Sequence, residues 1–406
     1  MGTVQKYQPR CRVFLMDGKK FRTNLLVLFF DIPLKRETAT KTALIAEVLK
    51  KWDWQNASKE AEALYGALWD ISVIKKGNRQ LLLFSMETLK NVEMEEVLSF
   101  LRSRILEINF DEKTVQRQKE ILKRKLEGLA DDKKAYARKR ALEETAGETD
   151  FGISADGYVE DVEEISCKML QDWYRYLLEK AGVNIFFCGD KTEKKKILSL
   201  RQDFTGENPF LKKEVVEKGK HAPRFIQEAV PIEQARLVMG FQGDIENSCR
   251  QVALRLLNYL LGGSADSLLF QEVREKGGLC YDIKSDLEPM SPYLFVQAGV
   301  RKEDAKEAGK QVLNCLEKLK KEGISPEKMM QAKENIQRDY DSLSDSPWAM
   351  MDFFAEQVLL GKELTTEKWQ RQIEKIEAED LIRAAKHLEL RTVYLLESEE
   401  DDHGTE

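Results

Sequence analysis

From Asn24 to Asp31 the chain reads Asn-Leu-Leu-Val-Leu-Phe-Phe-Asp, an unbroken apolar run between polar ends that predicts a buried strand. After a short linker, apolar residues recur at Ala39, Ala43, Ala46 and Leu49, spacings of three and four that predict a helix with one apolar face. Leu64 to Val73 and Gln80 to Met86 then read as two strands joined across a Lys-Lys-Gly-Asn turn, with Trp69, Ile71 and Val73 alternating with polar positions. An amphipathic helix follows through Met94, Val97, Leu101 and Ile105, and another from about Glu112 to Glu127, with Asp111 as its N-cap. A further apolar run, Val183 to Asp190, predicts a second buried strand.

Displaced by about 212 residues, the same pattern returns. Ala235 to Gly243 is again a strand, and Val252, Leu256, Leu257, Leu260 and Leu261 again mark a helix face. Leu279 to Glu288 and Pro292 to Val300 again read as paired strands, and Ala308, Val312, Leu316 and Leu319 as the next helix. A last helix carries Met329, Ala332, Ile336 and Tyr340, with Ser325 capping and Pro326 in its first position. Trp69-Asp70 falls on Tyr281-Asp282, and Leu81–Phe84 falls on Tyr293–Val296.

The duplicated order predicts an α+β fold of two homologous domains, each a mostly antiparallel sheet with helices packed on one face, facing across a cleft. The expected boundaries are 1–193 for the first domain, 194–224 for a linker rich in charge, Gly and Pro, 225–398 for the second domain and 399–406 for an acidic tail. The run Ile197–Leu200 inside that linker suits a short helix serving the first half. A cleft between two sheets has room for an extended peptide.

Composition narrows the chemistry. With 65 basic and 71 acidic residues in 406, the net charge is -6, which argues against nucleic acid as the main partner. The locally basic stretch 122–140 reads instead as the solvated faces of two helices. Gly262-Gly263 is not a phosphate loop, because no Gly-Lys-Ser or Gly-Lys-Thr follows. The six cysteines, Cys11, Cys167, Cys188, Cys249, Cys280 and Cys315, form no Cys-x-x-Cys pair and read as small buried hydrophobes in a reducing compartment. No apolar leader opens the sequence and its longest apolar run, Leu25–Phe30, is too short to span a bilayer, so a cytoplasmic location without a membrane span is expected. There are three histidines, His221, His387 and His403, and none in the first 220 residues.

From Leu261 to Tyr281 the sequence is LGGSADSLLFQEVREKGGLCY. Gly262, Gly263, Ser267, Leu269, Phe270, Arg274, Glu275, Lys276, Gly278, Leu279 and Tyr281 resemble, in order, the second-domain signature of the insulinase-like metallopeptidases of pitrilysin and mitochondrial processing peptidase type. The duplicated halves and the Leu-Tyr-Gly-Ala segment at 64–67 extend the resemblance over nearly the whole chain.

The resemblance implies a zinc site on the first helix, His-x-x-Glu-His, with a glutamate some 75 residues later as third ligand. Here that helix reads TKTALIAEVLKKW. In one register the motif positions hold Ala43, Ala46 and Glu47; in the next they hold Leu44, Glu47 and Val48. Neither has a histidine, and Lys125 stands at or near the distant ligand position, where a cation opposes metal binding. Glu47 is either a relic of the general base or an ordinary helix glutamate. Trp52 and Trp54 either fill space vacated by the site or simply pack.

The family's other machinery is matched. Its arginine and tyrosine, here Arg274 and Tyr281, face the zinc across the cleft and bind the substrate backbone, and Gly262-Gly263 forms a turn beside them. The plainer alternative is that Arg274 pairs with Glu272 or Asp282 and Tyr281 packs. Within the family this chain resembles the zinc-less, inactive member of bacterial paired peptidases that trim small peptides. The implied role is a non-catalytic, substrate-binding subunit of a heterodimeric zinc endopeptidase, with no activity expected alone. The implied partners are a zinc-bearing insulinase-like subunit and a small peptide, with zinc held by the partner and none by this chain. A homodimeric peptide-binding scaffold is the second reading, and an independent peptidase with a relocated metal the third. The apolar segment 346–361 suits core packing, a subunit contact or a cleft lining.

Overall fold

The computed structural model describes residues 10–52, 54–206, 222–361 and 366–399. The first half runs β1 (Cys11–Asp17), β2 (Thr23–Pro33), α1 (Arg36–Lys51), α2 (Trp54–Ala63), β3 (Leu68–Lys76), β4 (Arg79–Leu89), α3 (Met94–Leu106), α4 (Glu112–Gly128), α5 (Lys133–Ala146), α6 (Val159–Val162), α7 (Cys167–Lys180), β5 (Gly182–Gly189) and α8 (Lys194–Ser199). The second runs β6 (Arg224–Val230), β7 (Ala235–Gln242), α9 (Ser248–Gly262), a π-helical turn (Phe270–Lys276), β8 (Asp282–Leu287) and β9 (Tyr293–Val300). It continues through α10 (Ala305–Glu322), α11 (Pro326–Leu343), α12 (Pro347–Leu359), α13 (Thr366–Glu374), α14 (Ala378–Lys386) and β10 (Glu389–Ser398). His221, His403 and most of the acidic tail lie outside the described residues.

Two five-stranded sheets form, ordered β1-β5-β2-β4-β3 and β6-β10-β7-β9-β8. The orders are equivalent strand for strand, so the duplication read in the sequence is a duplication of topology. Each sheet is antiparallel except for one edge pair, β1 with β5 and β6 with β10, which run parallel. The α+β class with two repeated halves is therefore as expected. Three strands, β1, β6 and β10, were not legible, because charged residues flank or interrupt their apolar positions.

The chain divides into two compact units. One comprises the described parts of Met1–Gly128, Ile153–Val215 and Ser344–Glu356; the other comprises those of Leu129–Gly152, Val216–Leu343 and Gln357–Glu406. Residues 129–152 thus belong with the second sheet, and 344–356 with the first.

In the first unit β2 is the central strand, and Leu25 through Phe30 are at most 1% exposed. An apolar run survives there because both faces of a central strand are covered. Phe29 stacks on Phe186 and Phe30 meets Phe84 edge-on. The segment 344–356 is tied to this sheet by the buried Lys76 of β3, whose ammonium lies 2.6 Å from Asp352 and 3.2 Å from Glu356.

In the second unit β7 buries alternate residues on opposite faces. A Cβ added at Gly309 of α10 would stand 3.8 Å from Leu237 and Met239 on one face. Val238, with Tyr293, Phe295, Tyr394 and Leu396, packs on the other against Ala137, Ala141, Leu142 and Ala146 of α5. The alanine stripe lets α5 lie close, and a Cβ at Gly240 would run into Thr145. This second sheet therefore carries a helix on each side, the added one being α5. The hydroxyls of Tyr136 and Tyr394 donate to Glu228 at 2.5 and 2.6 Å. Burial alone would push the Glu228 carboxyl up, but these donors and Arg140 outweigh it and hold it below the ordinary range.

Candidate functional site

The helix expected to carry the metal motif is α1, and α4 packs against it. Leu44 and Val48 are fully buried and Ala43 and Ala46 nearly so, whereas the Glu47 side chain is 16% exposed. Glu47 points toward α4, where the Lys125 ammonium lies 3.2 Å from its carboxylate. Residues four apart share a helix face, so Ala43 lies on the Glu47 side of α1. The earlier register, Ala43-Ala46-Glu47, thus sets both motif ends opposite Lys125, while the later one would direct them from Leu44 and Val48 into the core.

These residues do not fit zinc. Alanine, leucine and valine offer no lone pair, and the one carboxylate is engaged by the Lys125 ammonium. Among the described residues no three His, Cys, Asp or Glu side chains are grouped to hold a metal ion. His387, at the end of α14, has its ring Nδ1 2.7 Å from the Arg383 carbonyl and is engaged locally. Trp52, just past α1, lies under the Arg104 guanidinium at 5.0 Å. The side chain of Trp54 is outside the described residues.

The second group of expected residues lies around the end of α9. Gly262 closes that helix against β8: a Cβ there would stand 2.5 Å from the Ser285 backbone nitrogen, so glycine is required for the approach. Gly263 caps the helix, its N–H donating to the carbonyls of Asn258 and Tyr259. The chain then enters the π-helical turn and leaves it through Gly278, whose φ of +61° suits glycine. Tyr281 follows, 61% exposed, with its N–H donating to Gly299 O at 2.9 Å, immediately before edge strand β8. Its ring is therefore not packed into the core.

The Arg274 side chain is 41% exposed and lies over the Phe270 ring, 4.6 Å from its centroid. Neither acid offered by the plainer reading takes it. Glu272 is bound by Lys276 at 2.9 Å and approached by Lys318 at 3.8 Å, and the Lys276 hydrogen bond holds its carboxyl below the ordinary range. Asp282 is bound by Arg236 at 2.8 Å and approached by Lys134 at 3.7 Å. Arg274 keeps an ion pair to Glu275 at 3.8 Å, long and exposed, and so weak. Neither Arg236 nor Lys134 was legible in the sequence, since lone basic residues in a strand or helix carry no local pattern.

Behind this segment is a cavity of about 510 Å³, lined by Ser264, Ser267, Gln271, Lys318, Glu322 and Lys328 among others. The buried Ser267 hydroxyl has no hydrogen-bond partner among the described residues.

Comparison with known proteins finds likenesses to inactive peptidase-like proteins. The family described as "Peptidase M16 inactive domain" matches residues 164–336, a span that includes the whole Gly262–Tyr281 segment. A Bacillus subtilis (strain 168) relative described as "Probable inactive metalloprotease YmfF" is 24% identical over 408 residues, covering 95% of each chain. A crystal structure of a conserved protein from Enterococcus faecalis V583 superposes with a TM-score of 0.87 at 25% identity, covering 98% of this chain and 99% of that one. A Pseudomonas fluorescens structure described as a peptidase M16 inactive domain shares the fold with a TM-score of 0.82 at 18% identity, covering 97% of this chain and 98% of that one.

Proposed function

We propose that the chain is an inactive, peptidase-like member of the insulinase-like M16 peptidase family and, within it, the substrate-binding subunit of a heterodimeric zinc endopeptidase acting on small peptides. The observation that supports this reading is the Glu47–Lys125 pair, a cation beside the helix on which the resemblance implies a metal motif, while the Arg274 fork stays clear of Glu272 and Asp282. Zinc and the general base then come from a zinc-bearing relative.

Arg274 offers a planar set of N–H donors and Tyr281 one hydroxyl, both suited to peptide carbonyls and to a developing oxyanion. Tyr281 adjoins β8, the last strand of its sheet, so a peptide added as a further strand would run beside it. Six free cysteines support a reducing, cytoplasmic setting. No helix among the described residues is long and apolar enough to cross a membrane.

The test is purification of this chain alone and together with its zinc-bearing relative. The chain alone is expected to hold no zinc and cleave nothing; the pair is expected to cleave short peptides. Arg274→Ala with Tyr281→Phe should lower the pair's kcat/KM by roughly 100-fold, the scale of losing oxyanion-type donors. Zinc and peptidase activity in the isolated chain would overturn the proposal. A homodimer that binds peptides and captures no zinc-bearing relative would replace it with the scaffold reading.

A further inference from the structure

We infer that the cavity of about 510 Å³ bounded by α10, α11 and the segment 264–272 is a binding site for a small zwitterion of dipeptide size, its carboxylate taken by Lys328 and its ammonium by Glu322. Neither Arg274 nor Tyr281 lines it, so the site stands apart from the substrate-binding reading above. All of its walls belong to one compact unit.

The turn between α10 and α11 sets the polarity. Both are 18-residue helices, and residues 323–325 alone join them. The last turn of α10 reaches the cavity at Leu319 and Glu322, and the start of α11 reaches it at Ser325 and Lys328. A helix carries partial negative charge at its C-terminus and partial positive charge at its N-terminus, so the cavity lies between opposite poles. The neighbouring Lys320 and Lys321 at the end of α10, and Glu327 at the start of α11, follow that polarity. Glu322 and Lys328 run against it, and these two are the ones that line the cavity. A ligand carboxylate beside Lys328 and a ligand ammonium beside Glu322 would offset both mismatches.

These charges are open to a ligand. On the same wall Glu272 is bound by Lys276 at 2.9 Å and approached by Lys318 at 3.8 Å, and so is already neutralised. Glu322 and Lys328 form no ion pair among the described residues, and neither does Asp266 on the facing segment.

A buried hydroxyl points to the same occupant. Ser267 lines the cavity and is 3% exposed, and its hydroxyl has no hydrogen-bond partner among the described residues. A hydroxyl withheld from water costs stability until a partner arrives. The amide of a dipeptide supplies one, a carbonyl to which the hydroxyl donates. The cavity volume is within the range of small-molecule pockets.

The test is isothermal titration calorimetry of the full chain with the dipeptides Ala-Ala, Leu-Ala and Tyr-Leu. At least one should bind, and N-acetylation or C-amidation should each weaken it by about 10-fold, the scale of one charge-assisted hydrogen bond. Glu322→Gln should weaken the free dipeptide by a similar factor and leave the N-acetyl form unchanged. Lys328→Met should weaken the free dipeptide and leave the C-amide unchanged. Ser267→Ala should weaken every form and raise the Tm of the ligand-free chain, because an unsatisfied hydroxyl is gone. Arg274→Ala with Tyr281→Phe should bind as the parent does; a dipeptide lost from that variant would belong to the Arg274–Tyr281 segment and overturn the cavity assignment. No binding of any of the three at about 10 mM would also overturn it. So would a dipeptide indifferent to Glu322→Gln and Lys328→Met, or acetate or inorganic phosphate that binds as tightly.

Discussion

At the scale of single residues, the glycines carry more information than their number suggests. Gly262 is fixed by contact, its missing Cβ leaving room for the Ser285 backbone. Gly262→Ala should cost about 2 kcal/mol or more, because backbone cannot yield as a side-chain tip can, and urea denaturation would show it. Gly66 is the opposite case, with φ +73° and nothing within 4 Å of a Cβ, so Gly66→Ala should cost only roughly 1 kcal/mol, through conformation alone. The Glu47–Lys125 pair is half open to solvent on the lysine side, and Lys125→Ala should change stability by no more than about 1 kcal/mol. A double-mutant cycle with Glu47→Gln would measure the coupling, and a much larger value would mean that the pair is the main tie between the helices. The glycine-rich signature was legible because its residues are consecutive. Arg236 and Asp282 were not, because their partnership exists only across paired strands.

At the scale of elements, α1 and α4 set what surrounds the helix on which the resemblance implies a metal motif. The helical pattern predicted both helices, and helical geometry with Lys125 chooses between the two registers that the sequence left open. The choice can be measured. Ala43→His, Ala46→Glu, Glu47→His and Lys125→Glu together place two imidazoles and a carboxylate along the side of α1 that faces α4, and this variant should bind one zinc per chain by metal analysis. The alternative set, Leu44→His, Val48→His and Lys125→Glu, buries two imidazoles among core residues and should lose both stability and metal. Zinc retained by the second set and not the first would reverse the register.

At the scale of the whole molecule, charge and burial set the response to alkali. Burial pushes the thiols of Cys11, Cys280 and Cys315 up to about 11, against an ordinary value of 9.0. Between these values the unfolded chain releases protons that the folded chain keeps, so unfolding is favoured as pH rises. The contribution is fully present below pH 9 and should fall away between about pH 9 and 11, visible as a declining urea midpoint. In native protein the exposed Cys249 should react first with a thiol reagent, despite a pKa raised by burial and by Asp380, and the five buried thiols only on unfolding. A midpoint flat across that window would contradict the burial argument.

The sequence alone determined the repeat, the α+β class, the helices α1, α3, α4, α9, α10 and α11, the hairpin of each half, the absence of a histidine pair on α1 and the Gly262–Tyr281 signature. Each is written in local periodicity or in consecutive residues, where short-range geometry governs. Tertiary structure alone decided that residues 129–152 belong with the second sheet and 344–356 with the first, because an amphipathic helix specifies that it must bury a face but not which sheet will cover it. It also decided where the charges go: Lys125 to Glu47, Arg236 to Asp282 and Lys276 to Glu272. Of these only the last joins residues on one helical turn. The others depend on which strands and helices become neighbours, and that placement leaves Arg274 with an open fork.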